Sequence, residues 1–188
     1  MVPISYAVKR TQHAYALAAY KGTVPSPEIQ TTLLNLLLLF ITDHHRCVAR
    51  AAHVDRWSHV AVVPSTRGRP GEHPLRLLIG NRLRLPRVRL TANSALPPDL
   101  RSFHRERFSV SDTPDDFRGA RVLLVDDTWT TGARVQSASH ALKQAGAERV
   151  AAIVLGRHAN PEFGPWEPIL RKIKDRPYLQ EVCAVHAG

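Results

Sequence analysis

Residues 121–133 constrain the fold of this chain more than any other segment. Arg121-Val122-Leu123-Leu124-Val125 is a continuous apolar run, followed at once by Asp126-Asp127 and then by Thr128-Trp129-Thr130-Thr131-Gly132. A run without polar alternation predicts a strand buried on both faces, as in a parallel sheet covered by helices. Ala133 to Ala145, ended by Gly146, predicts a helix, and Arg149 to Leu155 predicts a further buried strand. Strand, glycine turn and helix in that order bring two carboxylates and a helix start to one sheet edge, where ligands of open parallel sheets bind. Backbone N–H groups at a helix start are unpaired and attract phosphate oxygens. Thr130 and Thr131 add hydroxyl donors, and ionised Asp126 and Asp127 accept from hydroxyls such as a ribose diol. Together these groups describe a ribose 5-phosphate site.

The remaining segments support one α/β domain spanning 1–188. With 44% hydrophobic and 22% charged residues the composition is globular, which excludes a disordered chain or a membrane bundle. The greasiest stretch, Leu33 to Ile41, contains Asn35 and falls far short of the roughly 20 residues that cross a bilayer. MVPISYAVKR lacks the charged-then-apolar order of an export signal, so cytoplasmic residence is expected. Cys47 and Cys183 are too few for a disulfide framework or a four-thiolate zinc site and are expected to be two reduced thiols.

A short helix is expected around Ala14–Tyr20, stopped by Gly22. Ser26 as cap and Pro27 as first helical residue open a second helix, expected to reach about Ala52 with a solvated end at Asp43-His44-His45-Arg46. His59–Val63 reads as a buried strand, Ser65–Gly71 as a loop, and a helix is expected from Pro74 with Leu75, Leu78 and Ile79 on one face. Residues 84–91 read as an edge strand because of Pro86, and Thr91–Arg107 as a long mobile loop. A last strand is expected near Glu181–Val185.

Charge is concentrated. The chain carries 26 Lys and Arg against 16 Asp and Glu, a net +10. Residues 67–107 hold ten Arg and three acids, which is +7 of that total. Arginine without lysine favours bidentate contacts to oxygen anions. A solvated basic face, or an RNA or DNA footprint across 67–107, remains open from composition alone.

The segment Val122–Ala133 resembles the phosphoribosyl-pyrophosphate (PRPP) motif of the type I phosphoribosyltransferases: an apolar strand, an acidic pair, two free positions, then Thr-Thr-Gly. The resemblance implies a central, mostly parallel sheet with helices on both faces. A small hood would come from the N-terminal residues and 156–188, and a flexible lid from about 86–107. It implies that Asp126 and Asp127 are the catalytic pair, holding the ribose diol and, indirectly, Mg²⁺. Thr128, Trp129, Thr130, Thr131, Gly132 and Ala133 would bind the 5-phosphate, and Ser65, Thr66, Arg67 and Gly68 the pyrophosphate. Arg101, Arg105 and Arg107 would belong to the lid, and His158 and Phe163 would line the acceptor pocket. The implied reaction transfers the 5-phosphoribosyl group from PRPP to a nitrogen acceptor, a nucleobase or amine, with release of pyrophosphate; a homodimer is compatible with it.

Ile4–Lys9, Tyr20-Lys21-Gly22, Phe108-Ser109-Val110 and Arg118–Val122 are most similar to the competence-associated (ComF) phosphoribosyltransferase-like proteins. Those commonly begin with a four-cysteine zinc element, which this chain lacks. Thr130 stands where 6-oxopurine enzymes carry an acid, which argues against hypoxanthine–guanine salvage. Arg134 stands where related sequences often have Thr, adding a cation beside the phosphate or facing solvent. The alternative to an enzyme is a PRPP-sensing regulator or nucleic-acid-binding protein, including an accessory of DNA uptake.

Overall fold

A computed structural model describes residues 1–20, 22, 26–67, 75–76, 83–114, 116–174 and 179–186. Its elements are β1 (Val2–Val8), α1 (Gln12–Ala19), α2 (Pro27–Ala51), β2 (His59–Val62), β3 (Arg87–Ala92), β4 (Phe108–Asp112), β5 (Arg121–Trp129), α3 (Ala133–Gln144), β6 (Arg149–Ala159), a single 3-10 turn (Gly164–Trp166) and α4 (Glu167–Lys174). The strands form one mostly parallel, six-stranded sheet in the order β1-β6-β5-β2-β3-β4, an α/β architecture. The chain divides into two compact units, one of residues 46–126 and 131–153 and one of 2–45, 127–130 and 154–188. Helix α2 and strands β5 and β6 run without a break through both.

The first unit is built on the apolar run at 122–125. Val122, Leu123, Leu124 and Val125 are all buried, and β2 pairs with them in parallel from His59↔Val122 to Val62↔Val125. Two interior strands whose residues point into packed layers on both sides must be apolar throughout, which is why neither sequence alternates. Ser58 fixes the start of the pairing: its N–H donates to Arg121 O and its Oγ accepts from Arg121 N, both at 2.9 Å. β2 also pairs in parallel with β3, and β3 with β4 antiparallel. Strand β3 is therefore interior rather than an edge. Pro86 stops just short of it, so its missing N–H costs no ladder bond, while its carbonyl accepts from Val60 N at 3.0 Å.

In the second unit, β1 is an element that the sequence reading did not foresee. Ser5 Oγ donates to Leu155 O at 2.5 Å and Lys9 N to Ala159 O at 2.9 Å, tying it to β6. Gly156 allows α1 to pack closely, since a Cβ there would lie 2.2 Å from Leu17 Cδ1. Helix α2 begins at Pro27 as expected, with Ser26 Oγ accepting from Ile29 N at 3.4 Å. Its buried stripe runs through Leu33, Leu37, Phe40 and Ile41 and continues to His44. His44 is only 5% exposed, which corrects the expected solvated end: the helical period carries it onto the apolar face.

Three further boundaries differ. β5 extends to Trp129, so Asp126, Asp127, Thr128 and Trp129 lie in the strand and the turn shrinks to 130–132. β6 extends to Ala159 and takes in His158. Residues 181–186 form turns rather than a last strand. Of the helix expected from Pro74, Leu75 and Arg76 are helical; Leu78 and Ile79 lie outside the described residues. Among the described residues no helix is long and apolar enough to cross a membrane.

Truncation of Leu124, which is fully buried in β5, is expected to lower unfolding free energy by about 2–5 kcal/mol, measured by chemical denaturation of Leu124→Ala.

Candidate functional site

The segment from Asp126 to Ala133 carries the most concentrated chemistry of the chain. Asp126 and Asp127 close the buried part of β5 at 1% and 2% exposure. Thr128 and Trp129 are half-buried, and Thr130 and Thr131 are exposed. Gly132 then adopts φ 81°, ψ −3°, a left-handed conformation that costs glycine little and a Cβ-bearing residue much more. That single reversal lets α3 start directly behind the strand. No side chain of Gly132 can cap α3; Thr131 Oγ1 accepts from Ala133 N at 3.3 Å instead. The turn thus presents backbone donors and two exposed threonines at a helix start.

Two arginines surround Asp126. Arg134, in the first turn of α3, has its guanidinium 3.9 Å from Asp126 Oδ1 and donates to Pro64 O at 2.9 Å. The second bond brings the loop after β2 beside the start of α3, since Val63 N also donates to Val125 O at 3.0 Å. Ser65 and Thr66, both half-buried, and exposed Arg67 follow immediately; Gly68 lies outside the described residues. Thr66 Oγ1 donates to Pro98 O at 2.8 Å and Arg67 N to Ser65 Oγ at 3.3 Å.

Arg107 is the second arginine, and it is 2% exposed. Its guanidinium donates to Leu100 O at 2.5 Å and to Pro98 O at 3.4 Å. Burial lowers its pKa from the ordinary value and repulsion from Arg134 lowers it further, with Asp126 opposing both. Two guanidinium groups thus act on the Asp126 carboxylate, each opposing the other's charge. Paired guanidinium groups of this kind suit an oxygen anion.

The segment expected as a lid has a defined conformation. Its first part, 87–92, is strand β3; residues 93–107 form the connection to β4, closed by Asn93 N donating to Arg107 O at 2.9 Å. The connection lies on α3: Thr131 Oγ1 donates to Arg101 O at 2.9 Å, His104 N to Ser137 Oγ at 3.1 Å, and the Phe103 ring stands edge-on to His140 at 5.5 Å. Arg101 and Arg105 point to solvent, whereas Arg107 does not. Ser137 and His140 escaped the sequence reading, although they follow Arg134 at three-residue spacing and so share its helix face.

The residues considered for the acceptor sit in the second unit. His158 is half-buried within β6, and Phe163 is exposed after it. Trp166 holds the Arg157 guanidinium 4.8 Å above its ring and meets Tyr6 edge-on at 6.3 Å. Glu162 bridges Lys9 at 2.6 Å and Arg10 at 3.0 Å.

Comparison with known proteins adds three findings. Residues 78–167 match the model of the phosphoribosyl transferase domain family. Similar solved structures include the orotate phosphoribosyltransferase from Aeropyrum pernix (20% identity, 81% of this chain and 80% of that one, TM-score 0.45). They also include the adenine phosphoribosyltransferase from Leishmania tarentolae (18% identity, 80% and 67%, TM-score 0.40) and the purine phosphoribosyltransferase from Pyrococcus horikoshii Ot3 (12% identity, 95% and 99%, TM-score 0.35). A comparison with curated protein sequences finds no match. The matched stretch contains β3, β4, the Asp126–Ala133 segment and α3, so the candidate site lies within the residues that match this family model.

Proposed function

We propose that this protein is a phosphoribosyltransferase that binds PRPP and Mg²⁺ and passes the 5-phosphoribosyl group to a nitrogen acceptor in the cytoplasm. The observation that carries the reading is the Gly132 reversal: it sets exposed Thr130 and Thr131 and the start of α3 directly behind two carboxylates, within the matched domain. Amides and hydroxyls suit a 5-phosphate, and carboxylates suit the ribose diol. Arg107 and Arg134 supply the positive field that a departing pyrophosphate needs, joined by Ser65, Thr66, Arg67 and Gly68 of the loop after β2. The reaction breaks the bond from ribose C1 to a pyrophosphate oxygen and forms one from C1 to the acceptor nitrogen, whose proton leaves to solvent or a base.

Asp126 and Asp127 offer hard oxygen donors, the ligand class that Mg²⁺ prefers, so the residues present fit that ion. Bound with PRPP, it would neutralise pyrophosphate charge. Thr131 has one hydroxyl hydrogen, which it gives to Arg101 O. Donation to a phosphate therefore requires the 101–104 connection to let go, so Arg101 and Arg105 would act as a lid by release and re-closure over the bound ligand. His158 and Phe163 remain the proposed acceptor side, and the motifs quoted above affiliate the chain with the competence-associated branch.

Asp126→Asn combined with Asp127→Asn is expected to weaken PRPP binding by at least about tenfold in calorimetry, since charged hydrogen bonds contribute roughly 1.5–3 kcal/mol each, while cooperative melting persists. Unchanged affinity would remove the ribose assignment. Gly132→Ala is expected to cost about 1–2 kcal/mol of stability from left-handed strain and to weaken PRPP binding more than binding of unphosphorylated ribose. A panel of nucleobases and amines should yield one acceptor that supports Mg²⁺-dependent pyrophosphate release. No turnover with any acceptor, together with steeply salt-dependent RNA or DNA binding, would replace the enzyme by a binding protein.

A further inference from the structure

The two cysteines, 136 positions apart in sequence, meet at one place with two histidines. His44, Cys47, Cys183 and His186 each offer a ligand atom, and these atoms all lie within 4.8 Å of one another. Neither cysteine is in a disulfide. His44 and Cys47 are three residues apart on α2, the spacing that puts side chains on one helix face. Cys183 and His186 have the same spacing in reverse order, in the turn that His186 N closes by donating to Cys183 O at 2.9 Å. From this geometry we propose a structural zinc site of two thiolates and two imidazoles, which fastens the C-terminal segment to α2.

The donor set selects the metal class. Two sulfurs and two nitrogens within one small sphere match tetrahedral Zn²⁺, which carries no open position when all four ligands come from protein. Zinc–sulfur bonds of about 2.3 Å and zinc–nitrogen bonds of about 2.0–2.1 Å at tetrahedral angles put neighbouring sulfur and nitrogen roughly 3.6 Å apart. Cys183 Sγ and His186 Nδ1 are 3.6 Å apart. The surroundings already orient the ligands. His44 Nε2 lies 2.7 Å from Gln180 O, and a carbonyl only accepts, so Nε2 carries the proton and Nδ1 keeps the lone pair. A histidine held through its second nitrogen by a backbone carbonyl is the usual outer support of a metal ligand. Gln180 Nε2 donates to Asp43 Oδ2 at 2.8 Å, so the same residue grips α2 twice. The His44 ring is buried against Phe40 at 5.1 Å and meets His186 edge-on at 5.8 Å.

The site is separate in composition from the proposed PRPP site, and its two-Cys, two-His set differs from a four-cysteine element. Its role is to hold residues 183–186, which form no strand and whose neighbours Leu179 and Val182 are about half exposed. Zinc binding displaces the thiol protons of Cys47 and Cys183, so affinity falls as pH drops.

The test is metal content of the untagged full chain, purified without chelator, by mass spectrometry, with Co²⁺ substitution as a spectroscopic check. About one zinc per chain is expected, together with the thiolate charge-transfer and tetrahedral d–d bands of the cobalt form. Cys183→Ser and Cys47→Ser should each lower zinc to a small fraction of that. His186→Asn alters an exposed side chain, and it should lose zinc while circular dichroism stays native. His186→Cys should keep it. Chelation should lower the melting temperature of the wild type and leave that of His186→Asn unchanged. A wild-type chain with native circular dichroism that neither retains zinc nor takes up Co²⁺ overturns the proposal. Undiminished zinc in all three loss variants, or iron or copper in its place at the same ratio, also overturns it. PRPP binding is read separately, so either outcome leaves the enzyme assignment to its own test.

Discussion

Burying a carboxylate is costly unless something nearby answers its charge, and this chain buries two in succession at the end of its central strand. That cost organises the first unit. Arg134 approaches Asp126 from α3, and Arg107, itself withdrawn from water, contributes its charge from the start of β4. Each arginine is also spent on main-chain carbonyls, at Pro64, Pro98 and Leu100. The loops after β2, β3 and β5 are thus drawn to one place by the same electrostatic demand.

Backbone geometry fixes where an anion would go. Gly132 turns the chain with one left-handed residue and brings no side chain of its own to cap α3, where Thr131 Oγ1 accepts from Ala133 N. Donors at a helix start are satisfied by caps, water or ligands, and exposed Thr130 and Thr131 stand beside them. The contact of Thr131 with Arg101 holds the connecting segment over this turn. Phosphate binding at this turn, as proposed, would compete with the posture of that segment for a single hydrogen.

The parts of the structure legible in sequence are those written in short-range pattern. The unbroken apolar run at 122–125 required an interior strand, Pro27 after Ser26 marked the start of α2, and Thr-Thr-Gly before Ala133 marked the strand–helix turn. The reach of β5 through Asp126–Trp129 was not legible, because two acids and a threonine read locally as the end of a strand; of the two arginines that act on Asp126, Arg134 comes from the next helix and Arg107 from the connection before β4. β1 was hidden because its pairing with β6 joins residues 150 positions apart. Reading residues 43–46 as one polar block concealed His44, whose helical phase places it with Leu37, Phe40 and Ile41. The meeting of Cys47 with Cys183 depends on where the tail returns to α2, which no local motif encodes.

A crystal structure of the protein with ribose 5-phosphate tests the central claim most directly. The account requires the phosphate on the main-chain N–H groups and hydroxyls of Thr130–Ala133, with the ribose hydroxyls directed to Asp126 and Asp127. A phosphate bound elsewhere, for example along the exposed arginines of β3, or a turn that stays closed under Arg101 at saturating ligand, would contradict it.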